Sequence, residues 1–397
     1  MARRIAWLVV VAIVAVAGCS QAVPPPSATG SSLPPPVDAS SPSPIDSTNL
    51  SLAAEIRGAA RIDEQHGWVM TASGLAFTDD GGSSWRATTP ADAAAQVLMG
   101  ATFADPDHGW LATAVPDPRA TTFDIWRTHD EGRSWDRAVV PEGINRGDLV
   151  GTLTFAVAGS GHLFAMIDGG MPTGYTGDLF ASADAGASWT PVPIHQDAGV
   201  TGPIAFADAR HGVVAGGAPG DRLFSTDDGG RTWRQAVLPP PIGAAGSSTQ
   251  FWTAPTFWTN RQAGEPVWFG NTERATTLGI LLTEDGGATW QPRGSVPLGA
   301  DQGSAVAALI GPSTWVVILS PSGGARTDDA GTTWTPFAST GLPVTPDVLS
   351  MVDSTHGWAI VRVSGCEADK TDCQTRSAVF ATDDGGATWS LIWPPPS

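Results

Sequence analysis

The apolar and polar positions of this chain alternate in short bursts. Apolar runs of four to eight residues, rich in Val, Phe, Leu and Trp, are bounded by Gly, Pro, Asp and Ser clusters. Runs of that length with those boundaries predict β-strands, because strands end where turn residues begin. Within one stretch, Val97 to Ala104, Gly109 to Val115, Phe123 to Thr128 and Ser134 to Val139 read as four successive strands. Similar sets recur from Leu52 to Ile392, and no segment in that range carries a sustained helical period. Two N-terminal stretches break the pattern. Ile5 to Val16 is continuously apolar, and Gln21 to about Thr48 is Pro- and Ser-rich.

An eight-residue repeat sets the period. Thr78-Asp79-Asp80-Gly81-Gly82-Ser83-Ser84-Trp85 follows the pattern Ser/Thr-x-Asp-x-Gly-x-Ser/Thr-Trp, which returns six more times. The aspartates are Asp80, Asp130, Asp184, Asp228, Asp285, Asp329 and Asp384. The closing tryptophans are Trp85, Trp135, Trp189, Trp233, Trp290, Trp334 and Trp389, spaced by 44 to 57 residues. One four-stranded blade fits each period, so the expected fold is all-β: a seven-bladed β-propeller of four-stranded antiparallel blades. The motif belongs at the turn from third to fourth strand. Its carboxylate can accept turn N–H groups, its glycine admits positive φ, and its indole seals a seam between blades. One catalytic pair would be needed once, whereas this acid recurs in every blade, so its expected role is structural.

A second signature precedes most of these turns. Asp63 to Trp68, Asp105 to Trp110, Asp208 to Val213 and Asp353 to Trp358 share Asp-x-x-His-Gly. Each reads as the turn between first and second strands, with a locally bonded histidine. Four histidines in four blades are not expected to converge on a metal. Residues Ile45 to Leu50 are the one candidate for an added edge strand that could close the ring.

The octapeptide resembles the Asp-box, or BNR repeat, and covers essentially all of the chain beyond residue 48. Asp-box propellers include sialidases, xyloglucanases, sortilin-type receptors and proteins like the photosystem II stability/assembly factors. The chain most resembles the last group, which combines an export signal, one seven-bladed ring and repeated His-Gly-Trp strands. That resemblance implies a scaffold that holds other proteins, without catalysis and without a cofactor. The sialidase resemblance implies three arginines, a tyrosine nucleophile with a glutamate, and an aspartate acid. Here Glu55-Ile56-Arg57-Gly58 stands where the Arg-Ile-Pro signature belongs. Tyr175 is the only tyrosine, with Glu142, Glu265 and Glu273 as possible partners. The glycosidase alternative needs a carboxylate pair, drawn from Asp148, Asp168, Asp178, Asp197 and Asp301.

The N-terminus adds a location. Arg3 and Arg4 precede the apolar run, and Val16-Ala17-Gly18-Cys19 resembles a bacterial lipobox. That implies a signal peptide over 1–18, lipidation of Cys19, and attachment to the outer side of the cell membrane. Residues 19–48, with Pro24-Pro25-Pro26 and Pro34-Pro35-Pro36, form the expected tether; the propeller is expected over 49–397. A compartment outside the cytoplasm permits a disulfide, and Cys366 and Cys373 are the expected pair.

Charge narrows the partners. The formal net charge is −18, with Lys370 the only lysine. Such a polyanion repels nucleic acid and anionic headgroups. The expected partners are therefore the membrane, through lipid alone, and a protein or glycan. The ring is read as a monomer.

Function on a rigid scaffold belongs to loops. Both repeated turns fall on one face, so the variable connections fall on the other. Those are Pro116 to Thr122, Asp168 to Asp178, Asn271 to Thr277 and Ser364 to Thr375 within blades. Pro141 to Asp148, His195 to Thr201 and Pro239 to Gln250 run between blades. The candidate ligand residues there are Arg119, Arg146, Asp148, Tyr175, Asp178, His195, Asp197, Gln250, Trp252, Asn271, Arg274 and Asp301.

Overall fold

Each Asp-containing repeat sits at a hairpin, and each hairpin closes one four-stranded sheet. The computed structural model describes residues 55–115, 122–140, 152–159, 161–168, 177–194, 200, 202–216, 221–238, 248–251, 253–271, 274–298, 305–365 and 374–395. Cys19, Ile45 to Leu50, Cys366 and Cys373 lie outside them. The described residues form seven antiparallel sheets, each built from consecutive strands in inner-to-outer order. Blade 1 comprises Ile56–Arg61, Gly67–Thr71, Leu75–Thr78 and Arg86–Ala87, and blade 7 comprises Val348–Met351, Gly357–Gly365, Gln374–Thr382 and Ser390–Trp393. One 3₁₀ turn, Ala91–Ala93, is the only helical element among the described residues.

Blade 2 carries strands at Val97–Phe103, Gly109–Val115, Thr122–Thr128 and Asp136–Arg137. The first three match the apolar runs. The outer strand is shorter than its run, because Val139 leaves the sheet to bridge Ser188 of blade 3. The same departure links Val237 to Thr289 and Thr340 to Thr388. Each bridge uses two backbone bonds, as in Val139 N–H to Ala187 O and Trp189 N–H to Val139 O. An outer edge is thereby tied to the next blade instead of being left open.

The core lies between the blades. Separate apolar clusters occupy the seams: Trp68, Leu75, Phe77, Leu98 and Leu111 between blades 1 and 2, and Phe164, Phe206, Val214 and Trp233 between blades 3 and 4. Close packing there depends on absent side chains. A Cβ on Gly100, in the inner strand of blade 2, would sit 2.0 Å from the Leu153 carbonyl oxygen of blade 3.

No strand is exchanged between the first and last blades among the described residues: blades 1 and 7 each hold their own four strands. They meet through side chains. The Trp85 ring lies 5.6 Å from Trp358 and 5.1 Å from Trp393, and its Nε1 donates to Ile392 O at 3.0 Å. Arg61, nearly buried, donates from Nη1 to Thr382 O and to Asp383 Oδ1, both at 3.0 Å. Its Nε and Nη2 reach Asp63 O and Glu64 O. Arg362 Nη2 donates to Ile56 O at 3.3 Å.

Candidate functional site: two unlike faces of the ring

On one face every blade repeats the same hydrogen-bond set around its aspartate, and six of the seven add a bond from the closing indole, Trp334 Nε1 in blade 6 being buried without a partner among the described residues. In blade 1 the Thr78 hydroxyl donates to Asp80 Oδ1 at 2.8 Å, the Ser84 amide to the same oxygen at 2.8 Å, and the Ser84 hydroxyl to Oδ2 at 2.6 Å. The Gly82 amide donates to Thr78 Oγ1, and Trp85 Nε1 to Gly82 O. Asp130, Asp184, Asp228, Asp285, Asp329 and Asp384 accept equivalent bonds. Two successive residues after each aspartate take positive φ. The first is glycine in four blades but Glu131, Ala185 and Ala330 in the others.

These acids are electrostatically committed. The hydroxyl and then the amide of Ser188 hold the Asp184 carboxyl down to about 2, with burial opposing them. Thr333 acts likewise on Asp329, also at about 2. At Asp80 partial burial pushes upward, and the Ser84 hydroxyl and amide outweigh it. A carboxylate held ionised by fixed donors is a poor general acid near neutral pH.

The Asp-x-x-His turns share this face. Asp63 Oδ1 accepts from the amides of Gln65 and His66, and His66 Nδ1 lies 2.8 Å from the same carboxylate. Asp105, Asp208 and Asp353 hold His108, His211 and His356 in the same way. The two kinds of turn are joined: Gly81 N–H donates to Gln65 O, and Gly229 and Gly385 donate likewise to Arg210 and Thr355, while in blade 5 Gly286 donates to Arg261 of the corresponding Thr259–Gln262 turn. The four histidines stay in separate blades. At the ring closure, however, Glu64 of blade 1 meets Asp353 and His356 of blade 7, with potential ligand atoms all within 4.8 Å. Sequence spacing cannot reveal this group, since its members are nearly three hundred residues apart.

The opposite face carries the connections between second and third strands. They are short in blades 1, 5 and 6, where the strands pair up to Met70/Leu75, Asn271/Arg274 and Ser320/Gly323. The connection expected from Asn271 to Thr277 is therefore shorter than that: the third strand already begins at Arg274, and Asn271 pairs directly with it. Longer connections occur in blades 2, 3, 4 and 7, at 116–121, 169–177, 217–221 and 366–373. Residues 217–221 were not among the expected variable loops.

Of the expected ligand residues, Asp178 opens the third strand of blade 3, half-buried. Asp168 ends the adjacent second strand, and the pairing of Ile167 with Asp178 brings the two acids to the same end of that blade. Gln250 is the last residue of an inner-strand segment of blade 5, Ser248–Gln250. Arg119, Arg146, Asp148, Tyr175, His195, Asp197, Trp252 and Asp301 lie outside the described residues, as do Glu142 and Glu273. Glu265 is not a loop-face acid. It is fully buried in the second strand of blade 5, because the strand turns its side chain into the seam with blade 4.

At the rim, the outer strand of blade 1 and the repeated turn of blade 2 enclose a cleft of about 540 Å³, lined by Arg86, Thr88, Asp92, Trp126, Arg133 and Trp135. Its two arginines already face Glu131, and Arg86 also lies over the Phe77 ring at 5.6 Å.

No protein-family model matches the sequence, and no curated protein matches it. Solved structures do. YCF48 bound to a D1 peptide is 15% identical with a TM-score of 0.52, covering 85% of this chain and 91% of that one. YCF48 from Cyanidioschyzon merolae is 14% identical with a TM-score of 0.53, over 84% of this chain and 97% of that one. The GH74 xyloglucanase from Xanthomonas campestris is 16% identical with a TM-score of 0.57, over 85% of this chain and 54% of its own. The chain thus spans about half of the xyloglucanase. At such identities the likeness establishes the architecture: this protein is a seven-bladed β-propeller similar in fold to YCF48.

Proposed function

We propose that this protein is a binding scaffold, held by a lipidated Cys19 on the outer side of a membrane, that recognises a protein segment on its variable-connection face. The observation that carries this reading is the asymmetry of the two faces. The repeated turns spend their carboxylates and hydroxyls, and in six blades their indoles, on their own turn. Variation in connection length is confined to the opposite face, and concentrated in blades 2, 3, 4 and 7. A propeller of similar fold has been captured with a peptide, the D1 peptide on YCF48, which supports a protein rather than a small molecule as ligand.

The test places a photo-crosslinking amino acid at Thr122, Arg222 or Gln374 on the variable face, and at Ser83, Arg231 or Ala387 on the turn face. Adducts with one protein partner are expected from the first set alone. Equal capture from both faces overturns the reading. So does hydrolysis of a polysaccharide that disappears in Asp178→Asn, which would favour the glycosidase alternative at the Asp168 and Asp178 end of blade 3.

The anchor is tested separately. Cys19→Ser is expected to move the protein from the membrane to the soluble fraction and to abolish labelling by an alkyne fatty acid. Labelling that survives the substitution overturns it. A bond between Cys366 and Cys373 would close the blade 7 connection, and intact-mass measurement before and after reduction detects it.

A further inference from the structure

The chain enters the ring at a defined place. Ile56–Arg61, the inner strand of blade 1, runs into the Asp63 to His66 turn, which is tied to the repeated turn by Gly81 N–H and Gln65 O. Arg61 therefore lies at the turn face and Ile56 at the opposite one. Ile56 pairs with Thr71, whose amide bonds Gly74 O in the short second-to-third strand connection. Arg362 Nη2 of blade 7 donates to Ile56 O, so the entry point is held from both sides of the ring closure. Glu55 thus starts the fold on the variable face, on the innermost of the four strands. Residues 20–54, 35 in number, separate it from Cys19.

Charge is divided unequally between the faces. The seven first-to-second strand turns, and the seven stretches from the end of a third strand to its closing tryptophan, make up the turn face. They hold 19 of the 39 acidic residues against four arginines, Arg133, Arg210, Arg231 and Arg261, so −15 of the formal −18 lies there. None of these acids is buried. Asp184 and Asp329, held down to about 2 by the donors of their own turns, keep their charge throughout the ordinary pH range. Anionic headgroups repel such a face once it comes within a Debye length, about 10 Å at 0.1 M salt.

We propose that the ring is carried with its variable face turned toward the membrane, and that the segment recognised there projects from a protein embedded in the same membrane. The proposal rests on the anchor and the binding face proposed above, and adds the partner's class. Two independent features set the orientation. The first is reach. A flexible chain of 35 residues spans about 30 Å on average. To present the turn face to the membrane instead, that chain must pass out across four strands and down the blade edge, a detour of roughly 35 Å. The detour consumes the whole mean span, so the variable face lies inward in the less stretched arrangement. The second is charge, since the face turned outward is the one that anionic headgroups repel. A binding surface held this way meets whatever projects from the bilayer. Confining both partners to one membrane also raises their effective concentration without any new contact.

The experiment uses the lipidated full chain in vesicles of phosphatidylethanolamine and phosphatidylglycerol that carry an acceptor-labelled lipid. A donor dye is attached through a noncanonical residue at exposed Thr122 or Arg222 on the variable face, or at exposed Ser83 or Arg231 on the turn face. Energy transfer to the membrane is expected to be at least twofold greater from the first pair; equal transfer, or more from the second, overturns the orientation. In cells, a photo-crosslinker at Thr122 or Arg222 is expected to capture a protein with a membrane span. Capture is expected to survive deletion of residues 24–44, which brings the ring closer to the bilayer. A partner without a membrane span, or capture lost on that deletion, overturns the partner's class. Failure of the anchor itself is read separately: a Cys19→Ser chain that stays on the vesicles refutes the lipidation, whereas equal transfer in a chain released by that substitution refutes only the present proposal.

Discussion

At the scale of single residues, the repeated aspartate acts as a three-way acceptor that organises a turn. Removing it strands two hydroxyls and an amide, so each turn is stabilised as a unit. For Asp184 the depressed carboxyl has a sign that can be checked. Its stabilising effect is present above about pH 4, the unfolded range, and is lost as pH falls through about 2. Because the group is largely exposed, screening reduces its worth to about 1 kcal/mol. Asp184→Asn is accordingly expected to lower stability at pH 7 by about 1 kcal/mol and to flatten the loss of stability between pH 4 and 2, as read from urea unfolding at each pH. Positive φ at Ala185, beside it, is tolerated because the rest of the turn over-determines it.

At the scale of the blade, the indole of each turn is the seal. Trp189, Trp233, Trp290 and Trp389 are 2–5% exposed, whereas Trp85, Trp135 and Trp334 are half-buried. Removing an indole takes roughly 150–250 Å² of apolar surface out of the seam. Trp189→Ala is expected to cost about 3–5 kcal/mol, and Trp189→Phe about 1 kcal/mol for the lost bond to Gly186 O. Denaturant midpoints measure both. Most of this was legible beforehand: a closing tryptophan after a hydroxyl residue, seven times, needs a seam to enter. The partner was not legible. Trp135 Nε1 donates to Thr88 O, 47 residues earlier, and Trp389 Nε1 reaches Ser339 Oγ, 50 residues earlier. The loop at Asn271 was misjudged for a related reason, since strand length beyond a turn depends on the neighbouring strand that accepts its bonds.

At the scale of the whole ring, closure is a contact problem. With no exchanged strand among the described residues, blades 1 and 7 depend on Arg61, Trp85, Trp358 and Arg362. Gly67 permits this contact: a Cβ there would fall 2.1 Å from the Trp358 ring. Arg61 makes the larger contribution, because one nearly buried guanidinium serves carbonyls on both sides of the junction. Arg61→Ala is expected to cost about 3 kcal/mol, the range for stranding buried partners of a charge, and to raise hydrogen exchange in blades 1 and 7 before the others. Uniform loss of protection around the ring would show that closure does not rest on this residue.

The amino-acid sequence alone determined the strand class, the count of seven, the placement of both turn types and the committed role of the repeated acids. These are local matters: turn chemistry and apolar spacing act within about ten residues, and repetition multiplies the signal. Tertiary structure decided how the ring closes, that blade 4 and not blade 5 joins blades 2, 3 and 7 in carrying a long connection, the meeting of Glu64 with His356, and the burial of Glu265. In the sequence Glu265 is one acid among many, between a glycine and a proline. Only the stacking of blade 5 on blade 4 removes it from water, and desolvation, unlike turn formation, is a property of everything packed around a group.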